Sequence, residues 1–505
     1  MVRILKNFDS FKLEVQKLSN HVAHYLKPKN FKNTIHKSWS TVWRLPTYLL
    51  EPEFLKVFDK TAAEYPHESE LKKKALEVRQ KASTLAMKGF SSPFFGNSKN
   101  LPLIQQAVAN TNKMLTLKPG MFTPVSPKES AEHLPKNTSS GFPEYIGNKG
   151  EILDYTVAQC VEALNQGNPT WVNFIVTMAW RTQVRPTGLK YRIIWVTPYI
   201  SQIFENCFFL PISRYFSNFK TSPWCVGNVF TDLVPRIKQL RNYSRIVVID
   251  YKSFDQTVPL ELILLFFNSI KSCFKINSKL WDIQYTAVMH FNASATCLNL
   301  LNGEAAFIPK AGGLSSGSVF TNFMGSWINL FLMNLYLGTI KQDPFACYLN
   351  VMGDDCSHGF NFDFDVHDYA RWLEHNFGMI VNPEECQVLG PDFETIEFLG
   401  ADVNEKGRYM NKSLVIDQLI ISTHFIPNTV MSDEERLVSK LASITFKFTD
   451  GYKFFDEVMD KLALNLDLSK LPKYYYELFY SPAGPFEMFT KRSIDEFKFT
   501  GWMRQ

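Results

Sequence analysis

The 505 residues contain no Cys-x-x-Cys pair: eight cysteines stand singly at 160, 207, 225, 273, 297, 347, 356 and 386. That scatter argues against a zinc knuckle and against a fold stapled by disulfides, and it fits a reducing compartment. Long apolar runs are missing too. The longest, around 262–267 and 330–333, fall far short of a membrane span, and the opening MVRILKNFDSFKLEV has no apolar signal core. The expectation is a soluble protein with no membrane span. Repeats at solenoid periods and low-complexity tracts are also absent, which excludes an array and favours several subdomains packed into one body.

Acids are missing between Ala163 and Phe204, where Arg181, Arg185, Lys190 and Arg192 all fall. Such a stretch attracts phosphate, although Arg181 reads equally well as a surface charge. The first forty residues set eight Lys/Arg against only Asp9 and Glu14, a pattern that fits a solvated arm or a contact with RNA or a capsid. The net charge of +5 neither demands nor excludes a nucleic-acid partner. Aromatics, by contrast, are plentiful: 43 Phe and 20 Tyr supply large rings for a core and for base stacking. For Tyr474, Tyr475 and Tyr476 both uses stay open.

Local patterns place the acids. Residues 117–150, dense in Pro and Gly, read as extended loop with turns rather than helix. Arg245-Ile-Val-Val-Ile-Asp250 is a β-branched run ending in a carboxylate, which predicts a buried strand with Asp250 at its tip. A helix is expected over 253–267. Residues 345–360 read as strand, Gly-Asp-Asp turn and strand, so Asp354 and Asp355 sit at a hairpin tip. Between the two acidic sites, GGLSSGSVFTNFMGSWINLFLMNLYLG opens as a Gly/Ser loop and continues as an apolar helix to about Leu337.

Nucleotidyl transfer, in which a ribose 3′-hydroxyl attacks an α-phosphate, uses two divalent ions roughly 3.5–4 Å apart. Magnesium takes few protein ligands, so two or three Asp side chains converging from neighbouring strands suffice. Single motifs carry little weight: roughly one Asp-x4-Asp pair arises by accident in a chain of this length, and a Gly-Asp-Asp triplet on the order of 0.1 times. The ordered set VVIDYKSFD, SSGSVFT and VMGDD carries far more. These segments resemble motifs A, B and C of viral RNA-directed RNA polymerases. KNTSSGFP resembles motif G of that family, RTQVRPTGLKYRIIW its basic motif F, and FGMIVNPEE and IEFLG its motifs D and E. The wording is most similar to partitivirus and picobirnavirus polymerases within the picornavirus-like group.

The resemblance implies an α+β closed right hand with an antiparallel palm sheet backed by helices. It puts the fingers at 1–206 and 275–308 with a basic arm to about 40, the palm at 207–274 and 309–402, and the thumb at 403–505. It makes Asp250 and Asp354 ligands of two Mg²⁺ ions, with Mn²⁺ as a substitute, and Asp355 their support. Asp255 would accept a hydrogen bond from the nucleotide's 2′-hydroxyl. Lys190, Arg192 and Arg185 would hold the triphosphate. Ser316, Thr321 and Asn322 would orient Asp255 and the nucleotide, or serve capping and packing alone. Thr138, Ser139, Ser140, Gly141, Arg181 and Gly317 would meet the template. Implied partners are RNA template and product, NTPs and a viral capsid protein, and the implied locations are the virion interior and the host cytoplasm.

Two departures stand out. Gly325 occupies the usual place of the motif B asparagine, the nearest being Asn322, and 377–391 lacks the motif D lysine proposed to protonate pyrophosphate, leaving Lys190, Arg192 or water. Two rival readings differ in kind. A reverse transcriptase typically carries Tyr-x-Asp-Asp and an aromatic gate where Asp255 stands, and a noncatalytic RNA-binding core protein would need none of the three acids.

Overall fold

The computed structural model describes residues 49–462, apart from most of 66–91 and from 145–147, 186–187, 218–221, 226–228, 302–303, 311, 423–431 and 446–447. The basic arm and the tyrosines at 474–476 lie outside the described residues, as do the side chains of Arg181, Arg185 and Lys190.

A four-stranded antiparallel sheet forms the centre, in the order Gln387–Leu389, Arg245–Ile249, Asp355–Phe360, Tyr348–Met352. Its second strand is the expected β-branched run, and Ile246, Val247 and Ile249 are buried. Apolar side chains on both faces explain the inner position, since such a strand needs cover above and below. Much of that cover is helical. The Thr321–Thr339 helix is buried from Phe323 through Leu337, and it packs along Leu101–Met114 with Trp327 Nε1 donating to Asn112 Oδ1 at 2.9 Å.

The helix expected over 253–267 is two helices, Phe254–Thr257 and Leu260–Lys271. Pro259 causes the break: a residue before proline is pushed out of helical geometry, and Val258 has φ −59° and ψ 118°. Residues 117–150, expected to hold no helix, contain one at Pro127–Glu132. Its start signal is present in the sequence, with Ser126 capping Glu129 N and Pro127 in the first turn.

A second sheet of four strands runs Gly188–Val196, Val176–Arg185, Thr296–Leu301, Glu304–Pro309. It joins two segments distant in sequence, with Val176 parallel to Cys297. A three-stranded sheet over 396–409 packs with the Val229–Leu240 helix around Leu233, Ile237, Ile396 and Val403.

The C-terminal helices Lys412–Ile420, Asp433–Thr445 and Gly451–Leu462 enclose Leu419, Leu437 and Phe454, and Phe54 from the Pro52–Val57 helix enters the same cluster. Burying such a ring contributes roughly 1.5–3 kcal/mol. Leu49–Leu50 pairs with Ile421–Ser422, and buried Glu51 between them binds Arg436 and Ser422. Residues 49–57, assigned to the fingers on sequence, therefore pack against the C-terminal helices.

His358, inside the central sheet, is fully buried, and neither ring nitrogen has a hydrogen-bond partner among the described residues. Burial pushes its pKa down to about 3 from 6.5. The unfolded chain therefore binds a proton below about pH 6.5 that the folded chain refuses until far lower, so folding loses about 1.4 kcal/mol per pH unit over that window. Thermal unfolding from pH 7.5 to 5 is expected to show this loss in the parent and a smaller one in His358→Leu.

Candidate active site

Asp250 follows the strand Arg245–Ile249 directly, and Ile249 pairs with Cys356, so Asp250 and Asp355 each stand one residue beyond that pair on adjacent strands. Asp354 occupies the turn closed by Met352 and Asp355, whose first central residue, Gly353, has φ 68°. A two-residue hairpin turn of this kind takes glycine at that place. All three carboxylates are exposed. The strand and the hairpin thus bring together acids that are more than a hundred residues apart in sequence.

The turn is held from beneath. Ser326 Oγ accepts from Gly353 N at 2.7 Å, and Asn329 Nδ2 donates to the carbonyls of Gly353 at 3.1 Å and Asp354 at 3.3 Å. Tyr251 OH donates to Asn329 Oδ1 at 3.1 Å and pairs with Tyr369 OH at 2.9 Å. Asp250 N donates to Cys386 Sγ at 3.3 Å, and Asn382 N to the Asp250 carbonyl at 3.1 Å. The sequence reading missed Ser326 and Asn329. Their signal was a polar stripe, Asn322, Ser326 and Asn329 at helical spacing on an otherwise apolar helix.

Asp255 is reached by solvent yet ringed by protein. Its carboxyl is pushed up to about 6, first by desolvation and then by the charge of Asp354, while Arg192 and Lys310 pull the other way. Its backbone carbonyl accepts from Leu314 N at 2.5 Å, which joins it to the Gly/Ser loop. On that loop Ser316 Oγ accepts from Trp195 N at 2.9 Å, and the Gly317 carbonyl accepts from Thr197 Oγ1 at 2.8 Å and Gln202 Nε2 at 3.0 Å. A Cβ at Gly317 would lie 2.2 Å from the Trp195 carbonyl, so only glycine lets the loop lie this close to the strand. Thr321 Oγ1 donates to the carbonyls of Ser315 and Ser318, and Asn322 Oδ1 accepts from Trp224 Nε1 at 2.8 Å.

Arg192 is exposed on Gly188–Val196, where it pairs with Arg181; Lys190 pairs with Gln183 and Arg185 with Gly188. Thr138 and Ser139 are exposed, while Ser140 and Gly141 are buried beside the start of the Tyr199–Ser217 helix, Tyr199 N donating to the Ser140 carbonyl at 2.9 Å. Deeper on that helix Glu205 is fully buried, and desolvation pushes its pKa up to about 7. Lys310, also buried, is pushed down to about 8 by the same cause. The sequence reading assigned neither residue a role.

The three aspartates offer hard oxygen donors at adjacent strand ends, the chemistry magnesium selects, and the pressure of Asp354 on Asp255 marks crowded negative charge that a cation relieves. Among the described residues no three His, Cys, Asp or Glu side chains are gathered closely enough to hold an ion by themselves. Magnesium suits such a site, because water and phosphate oxygens commonly complete its shell.

The profile of viral RNA-dependent RNA polymerases matches residues 97–466. An RNA-directed RNA polymerase of Cryptosporidium parvum virus 1 (strain KSU-1) is 27% identical over 267 residues, 47% of this chain and 48% of that one. The match spans about half the length of that curated relative. The crystal structure of the RNA-dependent RNA polymerase of a human picobirnavirus is similar in fold, with TM-score 0.61 and 13% identity over 90% of this chain and 94% of that one. Its insertion-loop deletion mutant gives TM-score 0.63 at 13% identity over 93% and 97%. With the profile covering most of its length and the ordered acids at adjacent strand ends, this chain belongs to the viral RNA-dependent RNA polymerase family.

Proposed function

We propose that the chain copies an RNA template into RNA, replicating and transcribing the genome of an RNA virus of the double-stranded kind. The observation that carries this is the meeting of Asp250 with the Asp354–Asp355 turn on adjacent strands, with Asp255 and Arg192 close by. In this reading Asp250 and Asp354 hold Mg²⁺, or Mn²⁺ in its place, and Asp355 steadies the turn. The metal, when bound, supplies activation of the 3′-hydroxyl and charge neutralisation at the departing pyrophosphate.

The protein's own side chains do the rest. Arg192, Lys190 and Arg185 draw in the triphosphate from the strand hairpin, Arg through its planar fork. Asp255 accepts from the ribose 2′-hydroxyl, with Ser316, Thr321 and Asn322 shaping the pocket around it. Thr138, Ser139, Ser140, Gly141, Arg181 and Gly317 guide the template. The fingers, palm and thumb keep the boundaries expected from sequence, except that 49–57 belongs with the thumb. Work inside a virion and in the host cytoplasm, with a capsid contact through the basic arm, completes the reading. A reverse transcriptase is disfavoured because an acid, Asp255, stands where that class carries an aromatic gate.

Labelled ribonucleotides and deoxyribonucleotides on an RNA template with Mg²⁺ or Mn²⁺ test this. The parent is expected to incorporate ribonucleotides, and Asp354→Ala to lose synthesis by on the order of 1000-fold while still binding RNA; deoxyribonucleotide preference in the parent would overturn the proposal. Asp255→Asn is expected to lower the ribose-over-deoxyribose preference by at least about tenfold, the worth of one hydrogen bond to a charged group. An unchanged preference would remove Asp255 from its assigned role.

A further inference from the structure

Glu205 and Lys310 are buried charges with no part in the roles given above. A buried carboxylate or ammonium is costly alone, so what each one binds shows what it is for. Glu205 Oε2 accepts from Ser318 Oγ at 2.8 Å and Val319 N at 2.9 Å. The other carboxylate oxygen, Oε1, accepts from Asn292 Nδ2 at 2.9 Å. Lys310 Nζ donates to the main-chain carbonyl of Asn292 at 2.5 Å, and each charge favours the ionised form of the other.

These partners are the two ends of one loop. Lys310 precedes the Gly/Ser segment and Ser318–Val319 closes it, so one node at Asn292 and Glu205 holds both ends. Between the ends, Leu314 N binds the Asp255 carbonyl, while Ser316 and Gly317 lie against Trp195 and Thr197. The span set at the node therefore fixes how the loop meets Asp255 on one side and the arginine-bearing strand on the other.

We propose that Glu205 and Lys310 are a positioning pair, two opposite charges bridged by Asn292 that clamp the Gly/Ser loop and so set where Asp255 meets the ribose of the incoming nucleotide. Neither touches the substrate. The inference rests on the reading of Asp255 as the ribose contact.

Steady-state incorporation on an RNA template, with the full chain as parent, Glu205→Gln, Lys310→Met and the double variant, tests it. Each single change leaves one buried charge uncompensated, and the double change leaves none. Each single variant is expected to raise KM for the ribonucleotide about tenfold and to lower the ribose preference about tenfold, with kcat within about threefold. The double variant is expected to return both to within about threefold of the parent. Effects that multiply in the double variant, or a loss confined to kcat, overturn the pair.

If Glu205→Gln does not fold, Ser318→Ala carries the test by removing one donor to the carboxylate. Raised KM with lowered preference supports the clamp, and parent-like values overturn it. Should Asp255→Asn shift the preference while the pair variants behave as the parent, only this inference fails; an unshifted Asp255→Asn removes the reading on which it stands.

Discussion

A polar side chain in the interior of an apolar helix costs free energy unless it finds a partner, and the Thr321–Thr339 helix buries Asn329 completely and Ser326 almost so. Both meet the acidic turn: Ser326 Oγ accepts from Gly353 N, and Asn329 Nδ2 donates to the carbonyls of Gly353 and Asp354. The pairing works in both directions. The turn supplies the acceptors and donor that make those side chains tolerable, and the helix fixes the turn's backbone so that Asp354 is presented by a rigid element. Tyr251, directly after Asp250, binds Asn329 from the other strand. One amide therefore ties both acidic strands to the helix beneath them, and the relative placement of the carboxylates depends on it.

Charge is arranged around that frame with an intended imbalance. Asp255 is ringed by protein, and its carboxyl is pushed up to about 6, first by desolvation and then by the charge of Asp354. Arg192 from the second sheet and Lys310 from behind the loop oppose the shift only in part. Hard carboxylate oxygens at such a place have the chemistry that a divalent cation such as magnesium selects.

Much of this was legible in the sequence, and for a definite reason. β-branched runs, a glycine-led turn and an apolar helix are local patterns, so the strand Arg245–Ile249, the hairpin around Asp354 and the helix to Thr339 appear where expected. The failures are local as well. Ser126-Pro127-Lys128-Glu129 is a capped helix start hidden inside a stretch rich in proline and glycine, and the break at Pro259 is the ordinary effect of proline on the preceding residue. What the sequence could not reveal is long-range. Glu205 lies in the Tyr199–Ser217 helix, 113 residues before its donor Ser318, and no periodicity marks it as different from a surface glutamate. The partnership of residues 49–57 with the C-terminal helices is of the same type, since only the folded chain brings Glu51 to Arg436.

The loop between Lys310 and Thr321 is where these long-range ties converge. It is bonded to the acid-bearing element through Leu314, to the arginine-bearing strand through Ser316 and Gly317, and to the buried node through Ser318 and Val319. A segment held on three sides by separate elements cannot shift at one contact without loading the others, because each bond is short and directional and the surrounding core is close-packed. The placement of Asp255 and of the strand that carries Arg192 is thereby put under one mechanical constraint. An element of small residues suits this position: Gly317 gives a backbone thin enough to lie against the Trp195 carbonyl, and the short hydroxyls of Ser316 and Ser318 reach the strand and the buried node directly.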